Sequence, residues 1–202
     1  WLQGKILINT DAEQDGDIYM GCAGGLEAKL CFDLTFEPSP ANYQTYQLQL
    51  TGLQGGHSGL DIHEGRGNAN QLLCRTLFRL QQALPIRISA LNGGTLRNAI
   101  PREASALISI PTEKQHELAT WLAQEARLLT KEFQHSDAGL QLVVSNAQSA
   151  ELVLKQNCQQ QLLAGLVALP NGVISMSHAV KGVVETSTNI GIIKTEGTTL
   201  TA

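Results

Sequence analysis

Three short segments bring together residue types that can do chemistry. The first is Gly52-Leu-Gln-Gly-Gly-His57-Ser-Gly59, a histidine set in a run of glycines. Glycine neighbours cannot pack an imidazole, and they allow positive φ and close backbone approach, so the ring projects from a strand end. Two readings of His57 stand: a presented donor or acid–base group, and a loop histidine tied up in local hydrogen bonds. The second segment is Thr95-Leu-Arg97-Asn98-Ala-Ile-Pro101. There Arg97 offers charge and Asn98 an amide N–H, a pair able to hold a carboxylate; a turn-forming Asn beside a solvated Arg is the competing reading. The third is Asn9-Thr-Asp11, an acid directly after an apolar run. Strand ends in α/β sheets are common sites for metal-binding carboxylates, but zinc needs at least three protein ligands and one Asp does not make a site.

Other arrangements fail on spacing. Gly56-His57-Ser58-Gly59 is not a nucleophile elbow, because Leu60 stands where the second glycine belongs. His57, Ser58 and Asp61 crowd one loop too closely for a catalytic triad. Gly65-Arg-Gly67 lacks the third glycine of a dinucleotide loop. His57, Asp61 and His63 offer a metal at best an incomplete set, with no ligand from a second element. His116, Lys131 and His135 fall on helix surfaces or ends, and His178 follows a strand.

The elements that must carry these residues are legible from residue 43 onward. Tyr46, Leu48 and Leu50 alternate with Gln47, Gln49 and Thr51, which predicts a half-buried strand over 43–53. Asn68 is placed to cap a helix bearing Leu72, Leu73, Leu77 and Leu80, stopped by Pro85. Strands follow at 86–91 and 104–110. Thr112 is the expected cap of a second helix with an apolar stripe of Leu118, Leu122, Ala126 and Leu129, and a strand at 140–144 closes the series. The order β-α-β-β-α-β is that of a ferredoxin-like α+β unit, a four-stranded antiparallel sheet with two helices on one face. Short strands are expected at 5–9 and 17–22. A helix to about residue 168 and strands near 172–177, 187–194 and 198–202 read as a partial second α/β unit. The implied division is 1–25 as the edge of another domain, 26–146 as the ferredoxin-like unit, and 147–202 as the incomplete one. Opening on Trp1 and an apolar run, and closing on Thr198-Thr-Leu-Thr-Ala202, the chain reads as a piece of a longer protein.

Composition narrows the classes of partner. The chain has 202 residues, 43% hydrophobic and 16% charged, with a formal net charge of −4. It has no Lys/Arg cluster, and only four Phe, three Tyr and two Trp. That argues against a nucleic-acid surface, and no apolar stretch approaches the ~20 residues of a membrane span. Four cysteines without a CxxC pair read as small buried hydrophobes in a reducing cytosol.

Six separated motifs together resemble the M20 family of zinc peptidases: Ile8-Asn-Thr-Asp11, Tyr19-Met-Gly-Cys-Ala-Gly-Gly25, Gly55-Gly-His57-Ser-Gly59, Gly67-Asn-Ala-Asn70, Gly93-Gly-Thr-Leu-Arg-Asn98-Ala-Ile-Pro101 and Lys181-Gly-Val-Val-Glu-Thr-Ser187. The resemblance implies a lid domain inserted in a catalytic domain that holds two zinc ions, here with a flanking piece of that domain. It implies Asp11 as a zinc ligand, His57 as the lid group that stabilises the oxyanion, and Asn98 as a substrate contact. The remaining zinc ligands and the general-base Glu have no counterparts in this chain, so the piece alone is expected to be inactive and to bind zinc weakly. The implied partners are a dipeptide substrate, the rest of the catalytic domain and a second copy in a homodimer. The alternative is a non-enzymatic ferredoxin-like module for binding or dimerisation.

Overall fold

The computed structural model describes residues 3–6, 16 and 24–202. Asp11 and Cys22 lie outside the described residues, as do most positions of the strands expected at 5–9 and 17–22.

Alternation in the sequence becomes a seven-stranded antiparallel sheet. Its members are β1 (Cys31–Asp33), β3 (Tyr43–Thr51), β5 (Arg87–Gly93), β7 (Ala104–Pro111), β8 (Gln141–Asn146), β12 (Ile193–Glu196) and β13 (Thr199–Thr201). Three two-stranded ribbons use the rest: β2 (Phe36–Pro38) with β9 (Leu152–Leu154), β4 (Gly56–His57) with β6 (Ala99–Ile100), and β10 (Gly172–Met176) with β11 (Val184–Thr188). The strand order in the main sheet is β1-β13-β12-β5-β7-β3-β8. On β3, Leu48 and Leu50 are fully buried while Gln47 and Gln49 remain half-exposed, so the period of two sets which face meets the core.

Three helices cover the apolar face: α1 (Ala69–Ala83), α2 (Gln115–Glu132) and α3 (Gln156–Ala168). Leu72, Leu73, Leu77 and Leu80 of α1 pack with Leu48, Leu50, Ile88, Leu91 and Ile108 of the sheet and with Leu162, Leu163 and Leu166 of α3. Each fully buried Leu or Ile contributes ~1.5–3 kcal/mol of apolar transfer. Asn68 is the N-cap of α1 as expected, its side chain accepting from the Gln71 N–H at 3.1 Å.

Other expectations need correcting. Thr112 does not cap α2. It begins a 3-10 turn, Thr112–Lys114, and its hydroxyl donates to the Asn42 carbonyl instead. The inward stripe of α2 contains Glu125 rather than Ala126, because Arg79 of α1 meets that carboxylate at 3.0 Å and makes its burial tolerable. The strand expected over 187–194 is two strands. Val184–Thr188 pairs back on β10, while Ile193–Glu196 pairs with Asn92 and Gly93 of β5. The C-terminal strands therefore extend the same sheet. Cys74 is buried as expected, its thiol pushed up to about 12 by desolvation, but Cys31 is exposed and Cys158 half-buried.

Candidate functional site

His57 and Asn98 are forty-one positions apart in sequence and side by side in the fold. The β4–β6 ribbon pairs Gly56 with Ile100 and His57 with Ala99. The Ser58 N–H donates to the Asn98 carbonyl at 2.9 Å, which extends that ribbon by one rung. Both residues are exposed, so an imidazole and a carboxamide stand at the same end of this ribbon, open to solvent.

The imidazole is oriented by its own loop. The N–H groups of Gly59 and Leu60 both donate to His57 Nδ1, at 3.1 Å each. Two donors aimed at Nδ1 require that nitrogen to be unprotonated, so a neutral ring carries its proton on Nε2. The two open readings of His57 therefore merge: the hydrogen bonds tie down one nitrogen and leave Nε2–H as the outward donor.

Asp61 and Arg66 brace the ribbon from behind. The His57 N–H donates to Asp61 Oδ2 at 2.7 Å, and the Asp61 N–H returns to the His57 carbonyl at 2.9 Å. Arg66 donates to the Gly55 carbonyl at 2.6 Å, stands 3.5 Å from Asp61 and pairs with Glu64. Gly56 has φ +143°, and a β-carbon there would fall against Arg66 Nη1 and the Asp61 carboxylate. The ribbon passes this brace only as glycine.

The feet of the same loop rest on the turn after α2. Asp137 accepts from the Gln54 N–H and from the Gly67 N–H, both at 2.8 Å, and from the Ser136 hydroxyl at 2.8 Å. Gly52, at φ +76°, lies so close to Gly139 that a β-carbon would overlap its carbonyl oxygen.

Amides support the Asn98 side. The Asn68 carboxamide nitrogen lies 2.9–3.2 Å from Asn171 Oδ1, Asn189 Oδ1 and the Ile190 carbonyl. Asn70 also donates to the Ile190 carbonyl, at 3.0 Å. Asn189 in turn donates to the Ala99 carbonyl at 2.8 Å, on the strand opposite His57. Arg97, by contrast, reaches outward to Glu27 at 2.8 Å with both side chains largely exposed, a pair of small energetic weight.

Among the described residues no three His, Cys, Asp or Glu side chains stand close enough to hold a metal ion. The set His57, Asp61 and His63 does not assemble there: Asp61 binds the backbone, and His57 Nδ1 is already engaged. The supports at Arg66, Asp137 and Asn189 were not legible in the sequence. Their partners lie 11, 70–83 and 90 residues away, and no local spacing announces such contacts.

With this geometry in place, known proteins are informative. Residues 48–137 match the peptidase dimerisation domain of the M20 family. The chain is 44% identical over 193 residues to the cytosol non-specific dipeptidase of Escherichia coli (strain K12), a match covering 96% of this chain and 40% of that protein. It superposes on the crystal structure of aminoacylhistidine dipeptidase from Vibrio alginolyticus with a TM-score of 0.91 and 46% identity, covering 100% of this chain and 41% of the other. Residues 48–137 are thus similar to an M20 peptidase dimerisation domain. His57 lies within that matched segment, as do Asn98 and Asp137. The likeness to these two dipeptidases runs along nearly the whole chain, which spans about two fifths of their length.

Proposed function

We propose that this chain is the substrate-covering lid of a cytosolic zinc dipeptidase of the M20 family that hydrolyses Xaa-His dipeptides. The supporting observation is the outward Nε2–H of His57, fixed by two backbone donors on Nδ1 and set beside Asn98 on one ribbon. The likeness to two dipeptidases gives the reaction class, and the name of the Vibrio relative gives the preference for a histidine-containing dipeptide.

In the intact enzyme, bound zinc supplies Lewis-acid polarisation and an activated water for attack on the peptide carbonyl. Asp11 is the one residue here that the family resemblance offers as a ligand, so the rest of the zinc site and the general base belong to the catalytic domain. The work of this chain is electrostatic and steric. His57 donates Nε2–H to the oxygen that gains charge as the carbonyl carbon becomes tetrahedral. Asn98 binds the substrate with its carboxamide from the neighbouring strand, and closure of the lid excludes water and aligns both groups. By itself the chain is expected to be inactive.

We read the strand order β8-β3-β7-β5, joined through α1 and α2, as a ferredoxin-like unit within residues 26–146. Residues 1–25 are then the catalytic-domain margin, and 147–202 a second, incomplete unit sharing the sheet. The match to a dimerisation domain favours a second copy of the protein as partner.

The test is kcat and KM for an Xaa-His dipeptide in the intact enzyme, wild type against His57→Ala. We expect kcat to fall by ~10²-fold or more with metal content unchanged, the size of an oxyanion-donor loss. Unchanged kcat would reject this role of His57, return it to a loop histidine and leave the lid as a cover or an assembly surface.

A further inference from the structure

We propose that Asp137 is the positioning residue that holds His57 at its working angle, a role that rests on the lid reading above. Asp137 is 1% exposed, although it carries a carboxylate. No Lys or Arg pairs with it among the described residues; its oxygens are met by two backbone N–H groups and one hydroxyl. Burying a carboxylate without a cation is costly unless several donors converge on it, and they converge here.

The identity of the donors gives this its meaning. Gln54 immediately precedes the glycine pair that leads into His57, and Gly67 closes the loop just before the Asn68 cap of α1. Oδ1 takes the first foot and Oδ2 the second, so one rigid group sets the distance between them. Asp137 is itself fixed. Its N–H donates to the Phe133 carbonyl at 2.8 Å, and its carbonyl accepts from the Leu140 N–H at 2.9 Å. The loop is thereby tied to the end of α2. A change in the separation of its feet would rotate the ribbon and move Nε2, and displacements near 1 Å can cost ~10²-fold in rate.

Asp137→Asn tests this with little change in volume. An amide keeps one acceptor and turns the other into a donor facing an N–H or the Ser136 hydroxyl, so one foot is released. In the intact dipeptidase we expect kcat to fall by ~10-fold to ~100-fold with KM within about twofold. Combined with His57→Ala, Asp137→Asn should add no further loss. Selective ¹⁵N-histidine labelling gives a readout independent of activity: the His57 ring should pass from a single Nε2–H tautomer to a mixture. Losses that multiply in the double variant, or an unchanged tautomer in Asp137→Asn, would overturn the proposal. Should Asp137→Asn fail to fold, Ser136→Ala removes one donor to the carboxylate. It should then lower kcat a few-fold in wild type and not in the His57→Ala background; an equal loss in both overturns the proposal. Full activity in His57→Ala itself would reject the role of His57 in the lid reading, while the tautomer signal would still decide what Asp137 does.

Discussion

Two excursions leave the main sheet, and they are built in opposite ways. The loop from Gly55 to Gly67 is rich in glycine, yet it finds partners across the fold, Asp137 at both feet and Asn98 at Ser58, while Arg66 of the loop itself holds the Gly55 carbonyl. The hairpin of β10 and β11 contains ordinary strand residues, but its tip is held only locally. Ser177 Oγ accepts from the N–H groups of Ala179 and Val180 at 3.3 Å, and the Ser177 N–H donates to the Val183 carbonyl. Ile174, Val180 and Val183 on this hairpin are about half-exposed. Composition alone suggests that the glycine loop is the loose one. The contacts reverse that ranking: a loop is rigid when distant elements satisfy its backbone, whatever its intrinsic freedom.

The strongest way to break this contrast is at Gly52. Gly52→Val puts a branched side chain at φ +76° and against the Gly139 carbonyl, where only backbone can move. We expect a loss of ~3 kcal/mol or more, read from a urea melt. Next in size is Asn68→Ala, which removes the cap of α1 and takes one donor each from Asn171, Asn189 and Ile190. A destabilisation of ~2 kcal/mol should appear in thermal unfolding. The smallest effect belongs to the hairpin. Ile174→Ser, at a side chain 55% exposed, should change stability by less than ~0.5 kcal/mol. A large loss there would mean that the hairpin packs more firmly than its contacts imply.

The sheet and helices were legible because their signals are local. The Leu48 and Leu50 alternation, the Asn68 cap and the spacing of Leu73, Leu77 and Leu80 each declare an element within a few residues. His57 and Asn98 were legible as unusual segments, although nothing in either one announced that the two share a ribbon. What stayed hidden was long-range or side-chain-specific. The burial of Glu125 depends on Arg79 of another helix, and the clamp at Asp137 depends on backbone groups at positions 54 and 67. The missed break at 189–192 has a similar origin: Asn189 and Ile190 leave the strand to serve the Asn68 network.

Amide hydrogen exchange in the intact protein tests most directly whether His57 stands on a pre-organised support. The amides of Gln54, Ser58 and Gly67 should exchange ~10²-fold or more slowly than those of Ala179 and Val180, because opening them requires parting the loop from the α2 turn or from β6. Equal and rapid exchange in the two excursions would contradict the account, since His57 would then sit on a loop as mobile as the hairpin tip.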